Sequence, residues 1–206
     1  MRLKGALAAA VLALTAALGA CGSDPAPASA LASGQRASAV FAGGCFWCTE
    51  SDFDKVPGVL ATTSGYIGGR LPNPTYEQVS AGNTGHIEAV RVTYDPARVS
   101  YAQLATHFMR TIDPLDGGGS FCDRGYQYRS AFFFANAEQR RIAEAAKARA
   151  QEVLKQRVAT LVLPATAFTP AEDYHQDYYK KNPIRYRFYR SRCGRDARLA
   201  EVWGGK

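Results

Sequence analysis

Apolar and polar positions along this chain recur with two periods, and the switches between them lay out a mixed fold. Ala39, Val40 and Phe41 form a short apolar strand that runs into Gly43-Gly44. After Cys45 the period lengthens. Phe46, Trp47, Glu50 and Phe53 recur at helical spacing, so Cys45 is expected to open a helix. Residues 59–67 return to strand character and are closed by Gly68-Gly69, and residues 86–94 form a further strand ended by Asp95-Pro96. Ser100 and Gln103 have capping-box spacing ahead of Leu104, Phe108 and Ile112, which predicts an amphipathic helix. Residues 128–134 read as a strand, and Asn136 with Gln139 caps a helix whose Ile142, Ala145, Ala146 and Val153 share a face. Leu161, Val162 and Leu163 predict a short strand. Thr169-Pro170-Ala171-Glu172 carries the cap, first-position proline and third-position glutamate of a last helix. Strands and helices intermingle with no internal repeat and no phosphate-cradling glycine pattern. The expected class is α+β, a two-layer sandwich of a mixed or antiparallel sheet with helices.

The first residues are patterned for export rather than for packing. Arg2 and Lys4 precede a small apolar run, residues 5–17, that is too short for a comfortable membrane span. It ends in Leu18-Gly19-Ala20-Cys21, which resembles a bacterial lipobox, where the cysteine is diacylated and becomes the new N-terminus. An ordinary signal peptide is the alternative, but it leaves Cys21 an orphan thiol exposed to oxidation. Residues 1–20 are therefore expected to be a lipoprotein signal peptide and Cys21 the lipidation site. Residues 21–38, rich in Ala, Ser, Pro and Gly, are expected to be a flexible tether, and residues 39–206 the folded domain. The expected location is a bacterial membrane, with the lipoprotein facing the periplasm or cell exterior. A chain of 206 residues, 47% hydrophobic, suits one domain with a proper core. The formal charge of +7 falls by two when Arg2 and Lys4 leave with the signal peptide. The remaining basic residues are interspersed with acids and tyrosines rather than run together, so no nucleic-acid partner is expected.

With Cys21 set aside, Cys45, Cys48, Cys122 and Cys193 remain. In an exported protein they could form two structural disulfides, but a domain this apolar does not need them, which leaves redox chemistry open. A cysteine opening a helix faces unpaired amides and the positive end of the helix dipole, and both favour the nucleophilic thiolate. The two preceding glycines let the backbone turn sharply. A zinc knuckle lacks its second half, since Cys122 and Cys193 are far apart, so no metal and no cofactor is expected. In a thioredoxin-like motif the tryptophan precedes the first cysteine, whereas here Phe46 and Trp47 lie between the two. Glu88 shares a strand face with Val90, Val92 and Tyr94, the residues of a core-facing side. Burial there would raise its carboxyl until it stays protonated near neutrality, able to donate a proton. Tyr76 and Tyr128 each follow loop-forming stretches, where functional side chains concentrate.

Gly44-Cys45-Phe46-Trp47 resembles the signature of the A-class peptide methionine sulfoxide reductases. So do Thr63-Ser64-Gly65-Tyr66, the segment 86–90, Asp113-Pro114, Asp123-Arg124-Gly125 and Glu172-Asp173-Tyr174-His175-Gln176. The resemblance spans roughly residues 40–203, in order. It implies a sandwich related to ferredoxin-like folds and reduction of methionine S-sulfoxide, in oxidised proteins or as the free amino acid. It further implies Cys45 as nucleophile, Glu88 as proton donor, and Tyr76 and Tyr128 as hydrogen-bond partners of the sulfoxide oxygen. Asp123 would organise the substrate, and Phe46 and Trp47 would form the pocket for its S-methyl group. The sulfenic acid formed on Cys45 would condense with a second thiol, and a thioredoxin-like dithiol would reduce the resulting disulfide.

The second thiol is expected to be Cys48, whose effective concentration three positions away is high, although the first helical turn must distort for the bond to form. Cys193 is the competitor, and Cys122 a weaker one. The rival chemistry is cysteine-protease-like acyl transfer, suggested by the order Cys45, His175, Asn182. It leaves Glu88 and the tyrosines idle. His175 is instead expected to make a structural hydrogen bond from a helix that packs tyrosines. The chain is expected to act as a monomer.

Overall fold

A computed structural model of the chain describes residues 34–204. The expected signal peptide, Cys21 and the tether up to residue 33 lie outside the described residues. The elements follow the order β1 (Ala37–Gly43), α1 (Phe46–Phe53), β2 (Val59–Ile67), α2 (Tyr76–Ser80), β3 (Ile87–Tyr94) and α3 (Tyr101–Arg110). Next come a short pair, β4 (Gly119–Ser120) and β5 (Asp123–Arg124), a single 3-10 turn over Tyr126–Tyr128, β6 (Ser130–Phe134) and α4 (Ala137–Leu154). The chain finishes with β7 (Leu161–Pro164), β8 (Thr169–Pro170), α5 (Tyr178–Lys181), α6 (Pro183–Arg192) and α7 (Arg195–Trp203). β1 starts at Ala37, so the last two positions of the expected tether belong to the sheet.

The main sheet has the strand order β7-β6-β1-β3-β2-β8, and every pairing is antiparallel except β6 with β7. It is the mixed sheet of an α+β sandwich. One face carries Phe41, Val90, Val92 and Phe132 against Phe53 of α1 and Leu104, Ala105 and Phe108 of α3. Phe41 is the hub of this layer, its ring centroid 4.7 Å from Phe53, 5.2 Å from Phe108 and 5.9 Å from Phe132. Burying one such ring contributes roughly 1.5–3 kcal/mol. The opposite face holds a smaller buried cluster of Ala42, Ile67, Ile87, Ala89, Ala131 and Phe133. Among the described residues no helix is long and apolar enough to cross a membrane.

Helix caps follow local chemistry. Ser100 Oγ accepts from the Gln103 amide at 3.2 Å while Gln103 Oε1 accepts from the Ser100 amide at 2.8 Å. Asn136 Oδ1 likewise accepts from the Gln139 amide at 2.9 Å. The same grammar starts α2, where Thr75 and Gln78 form a capping box. In α4 Ile142, Ala146 and Val153 of the expected face pack partly buried against the core, with Ala143, Ala150 and Leu154 buried beside them, whereas Ala145 is exposed.

The largest departure from the sequence pattern is at 169–172. Thr169 and Pro170 do not start a helix; they form an edge strand paired with Tyr66 and Gly65 of β2. Proline, which cannot donate to a ladder, is tolerated at such an edge. Gly65 admits the strand because a Cβ there would lie 2.4 Å from the Thr169 carbonyl oxygen. Glu172, expected at the third position of a helix, instead accepts from the Tyr66 hydroxyl and from the Tyr76 amide, each at 2.8 Å. Helices α5, α6 and α7 then fold back over α1, anchored by Arg190 Nη1 on Asp52 Oδ1 at 2.9 Å and by Arg195 donating to the Gly43 and Thr111 carbonyls.

Candidate active site

The nucleophile's position is set by the turn from β1 into α1. Gly44 has a φ of 85°, and a Cβ there would lie 2.4 Å from Cβ of Ser120. Only glycine fits both demands. The turn makes Cys45 the N-cap of α1, its carbonyl accepting from the amides of Cys48 at 3.1 Å and Thr49 at 3.2 Å. The next amide, Phe46 N–H, donates to Glu88 Oε2 at 3.0 Å. Glu88 lies on β3 opposite Tyr66, 2% exposed, so a carboxyl from the sheet layer caps the helix that carries Cys45.

Burial pushes the Glu88 carboxyl up to about 8, with the charges of Asp123 and Cys48 adding to the rise and the Phe46 amide opposing it. Glu88 is thus predominantly a neutral acid at neutral pH. For the two thiols the helix-dipole expectation is reversed. Burial pushes Cys45 well above the ordinary thiol range, helped by its hydrogen bond with Cys48 and by the Glu88 charge. Cys48 is instead lowered to about 7, because the Cys45 thiol hydrogen-bonds its sulfur and Arg195 and Arg190 stand nearby. Desolvation and the allocation of the first amide to Glu88 outweigh the pull of the helix end on Cys45.

Cys45, Phe46, Trp47, Tyr76, Glu88, Asp123 and Tyr128 line one cavity of about 60 Å³. The sequence-derived set therefore meets at one place. Tyr76 and Tyr128 hydrogen-bond each other, and both stay protonated: burial and the Glu88 charge push Tyr76 up to about 12 and raise Tyr128 likewise. Asp123 comes from the β4–β5 hairpin, where it pairs with Ser120, and burial raises its carboxyl. A larger open cleft of about 720 Å³, bordered by Gly68, Arg70, Leu71 and Tyr126, has no thiol or carboxylate among its lining residues.

Cys193 is joined to Cys122 in a disulfide with a Cα–Cα distance of 4.9 Å, while Cys45 and Cys48 are free and buried. Of the three expected resolving candidates, only Cys48 is a free thiol beside Cys45. Cys122, Asp123 and Cys193 are also close enough together to resemble a metal-ligand set, but the two sulfurs bond to each other.

His175 does not sit on a helix. It lies in the turn preceding α5, pinned because the Gln176 side chain accepts from the Ser64 amide and donates to the Ser64 carbonyl, both at 2.9 Å. Its Nδ1 accepts from Trp47 Nε1–H at 3.0 Å, and burial lowers its basicity. That bond occupies the lone pair a protease-like mechanism would aim at Cys45. Trp47 is held on its other side by Tyr178, stacked at 3.8 Å.

Three neighbours of the site are not among the candidate site residues of the sequence. Tyr189 of α6 lines the cavity, donates to Asp123 Oδ2 and meets Trp47 edge-on at 5.7 Å. Arg190 and Arg195 supply the cations near Cys48. The one local signal was the dense Arg and Tyr composition of residues 185–195.

Comparisons with known proteins converge on one family. The family described as "Peptide methionine sulfoxide reductase" matches residues 37–206. Peptide methionine sulfoxide reductase MsrA 2 of Caulobacter vibrioides is 54% identical over 181 residues, covering 87% of this chain and 92% of its own. That of Rhizobium meliloti is 54% identical over 168 residues, covering 82% and 84%. Among solved structures, reduced Mxr1 from Saccharomyces cerevisiae matches with a TM-score of 0.70 at 30% identity, covering 73% of this chain and 87% of that one. Methionine sulfoxide reductase A of Corynebacterium diphtheriae matches with a TM-score of 0.65 at 36% identity, covering 73% and 78%. Mxr1 in complex with Trx2 shares the fold, with a TM-score of 0.51 at 22% identity and coverage of 70% and 85%.

The split between the thiols is testable by thiolate ultraviolet absorbance. With Cys122–Cys193 intact, one thiolate should form with a midpoint at about 7 and be lost in Cys48→Ser. A step that survives Cys48→Ser and vanishes in Cys45→Ser would reverse the order.

Proposed function

The chain belongs to the peptide methionine sulfoxide reductase family, and from that premise we propose how its residues divide the work. The enzyme reduces methionine S-sulfoxide to methionine. Sulfoxide sulfur is a poor electrophile until its oxygen is protonated, so acid and nucleophile must act together. Cys45 attacks the sulfur while Glu88 delivers a proton to the oxygen, and Tyr76 and Tyr128 donate hydrogen bonds to the same oxygen. Asp123 orients the substrate, and Phe46 and Trp47 receive the S-methyl group. Oxygen passes to Cys45 as a sulfenic acid and methionine leaves. Cys48 then attacks the Cys45 sulfur, expelling water and forming a disulfide. A thioredoxin-like dithiol reduces that bond by exchange. The Trx2 complex of Mxr1 is in keeping with such a reductant.

The observation that carries this reading is the buried Glu88 carboxyl, bonded to the Phe46 amide at 3.0 Å, directly beside the cysteine at the helix start. The acid form is active and its midpoint lies at about 8, so the reductase step should hold through neutrality and fall as pH rises past that value. Glu88→Gln, which keeps the hydrogen-bonding shape, should slow the single-turnover step by roughly a hundredfold or more and abolish this alkaline limb. A variant as fast as the parent would remove Glu88 from the chemistry.

Anchoring belongs to the same proposal. The Leu18-Gly19-Ala20-Cys21 sequence and the Ala, Ser and Pro composition that follows support a diacylated Cys21 holding the domain at a bacterial membrane, facing the periplasm or exterior. Cys21→Ser should release the protein into the soluble fraction with unchanged sulfoxide turnover. A serine variant retained on membranes, or an unmodified Cys21 by mass spectrometry, contradicts the anchor.

A further inference from the structure

Three cations gather in a cavity that shares no lining residue with the Cys45 site. β6 and β7 run parallel with Ala131 level with Leu161, so Arg129 just before β6 and Arg157 ahead of β7 come to the same end of the sheet. Helix α4 brings Lys147 and Gln151 alongside. These four residues line a cavity of about 460 Å³, whereas none of them borders the cavity that holds Cys45 and Glu88.

Nothing on the chain neutralises the three charges. Among the described residues Arg129, Lys147 and Arg157 form no ion pair, and the acids beside these segments are committed elsewhere: Asp116 to Arg124, Glu144 to Arg140 and Glu152 to Arg149. Burial lowers the Lys147 ammonium below its ordinary range, and the charges of Arg157 and Arg129 lower it further. Like charges held together cost free energy that an anion placed among them recovers. The donors are also unspent. Arg129 Nε is buried with no hydrogen-bond partner, a vacancy that a bound acceptor would fill. Lys147 Nζ is fixed at the wall by donating to the Thr160 carbonyl at 2.6 Å, which leaves its other protons for a ligand. Gln151 Oε1 accepts from the Val158 amide at 3.3 Å, which leaves its side-chain NH2 as a further donor.

We propose that this cavity binds the phosphoryl group of a phosphomonoester, with Arg129, Lys147 and Arg157 around its oxygens. A phosphomonoester carries close to two negative charges near neutrality and several strong acceptor oxygens. Guanidinium groups match that geometry with paired N–H donors, and the lysine adds a point charge. A lone carboxylate would leave most of the positive charge uncompensated. The cavity is also roomier than a bare phosphate needs, and Leu115 and Leu161 on its wall offer apolar surface to the organic part of an ester. The site stands apart from the sulfoxide chemistry and does not depend on it.

The test is isothermal titration of the intact protein in a phosphate-free buffer of fixed ionic strength, with phenyl phosphate, inorganic phosphate and benzoate as probes. Phenyl phosphate should bind saturably at one site and more tightly than inorganic phosphate, which leaves the apolar wall bare, and benzoate should not compete. Arg157→Gln and Lys147→Gln should each weaken phenyl phosphate by roughly tenfold or more. Arg157 is exposed, so its substitution leaves the fold in place. Arg149→Gln, which removes an exposed cation of α4 outside the cavity lining, should change nothing. Absence of saturable binding, or affinity unaltered in both cavity variants, overturns the site. An equal loss in Arg149→Gln overturns it too, since the anion would then be following diffuse surface charge. Equal affinity for inorganic phosphate and phenyl phosphate overturns the assignment to an ester.

Discussion

One hydrogen bond, from the Phe46 amide to Glu88 Oε2 at 3.0 Å, ties the two layers of this protein together at the point of chemistry. A helix start has amides with no partner inside the helix, and a buried carboxyl has oxygens that need donors. Each satisfies the other here. A buried acceptor left unpaired costs about 1–3 kcal/mol, which favours this docking of α1 on the sheet. Because Phe46 follows Cys45 directly, fixing that amide also fixes the sulfur beside the acid. The tyrosine that pairs with Glu88 in the sheet, Tyr66, reaches Glu172, which in turn holds the Tyr76 amide. The site is built outward from that contact.

Dryness has a second consequence. Burial that keeps Glu88 protonated also keeps Cys45 protonated, so acid and nucleophile share one cost of desolvation. The balance is restored from outside the sandwich. Helices α6 and α7 bring the cations that favour a Cys48 thiolate, and the Tyr189 phenol that donates to Asp123. Asp52 on α1 receives both Arg190 and Arg195, at 2.9 and 3.6 Å, so the charges that tune the thiols also secure the segment that delivers them.

Much of this was legible in the sequence wherever the cause is local. Residues 59–67 form β2 with the bounds their pattern predicts, and the Ser100 and Asn136 caps are made by the residues spaced to make them. Alternation along β3 placed Glu88 among core residues. What escaped depends on distant partners. Thr169-Pro170 satisfies the grammar of a helix start, yet the vacancy above Gly65 draws it into the sheet. The motif around His175 was visible, but its work is positional: Glu172 serves Tyr66 and Tyr76, His175 serves Trp47, and Gln176 serves Ser64. Cys193 could not be paired from spacing alone, since its partner lies 71 residues away. The ionisation of Cys45 was misjudged because a dipole can be read from a helix start, whereas burial cannot.

The central claim is that Glu88 is a neutral acid in the resting enzyme. Infrared difference spectroscopy between the parent and Glu88→Gln, with the thiols reduced, reads it directly. A protonated carboxyl band should be present at neutral pH and should give way to carboxylate bands with a midpoint at about 8. Carboxylate bands alone at neutral pH, with no protonated carboxyl lost in Glu88→Gln, would contradict the account.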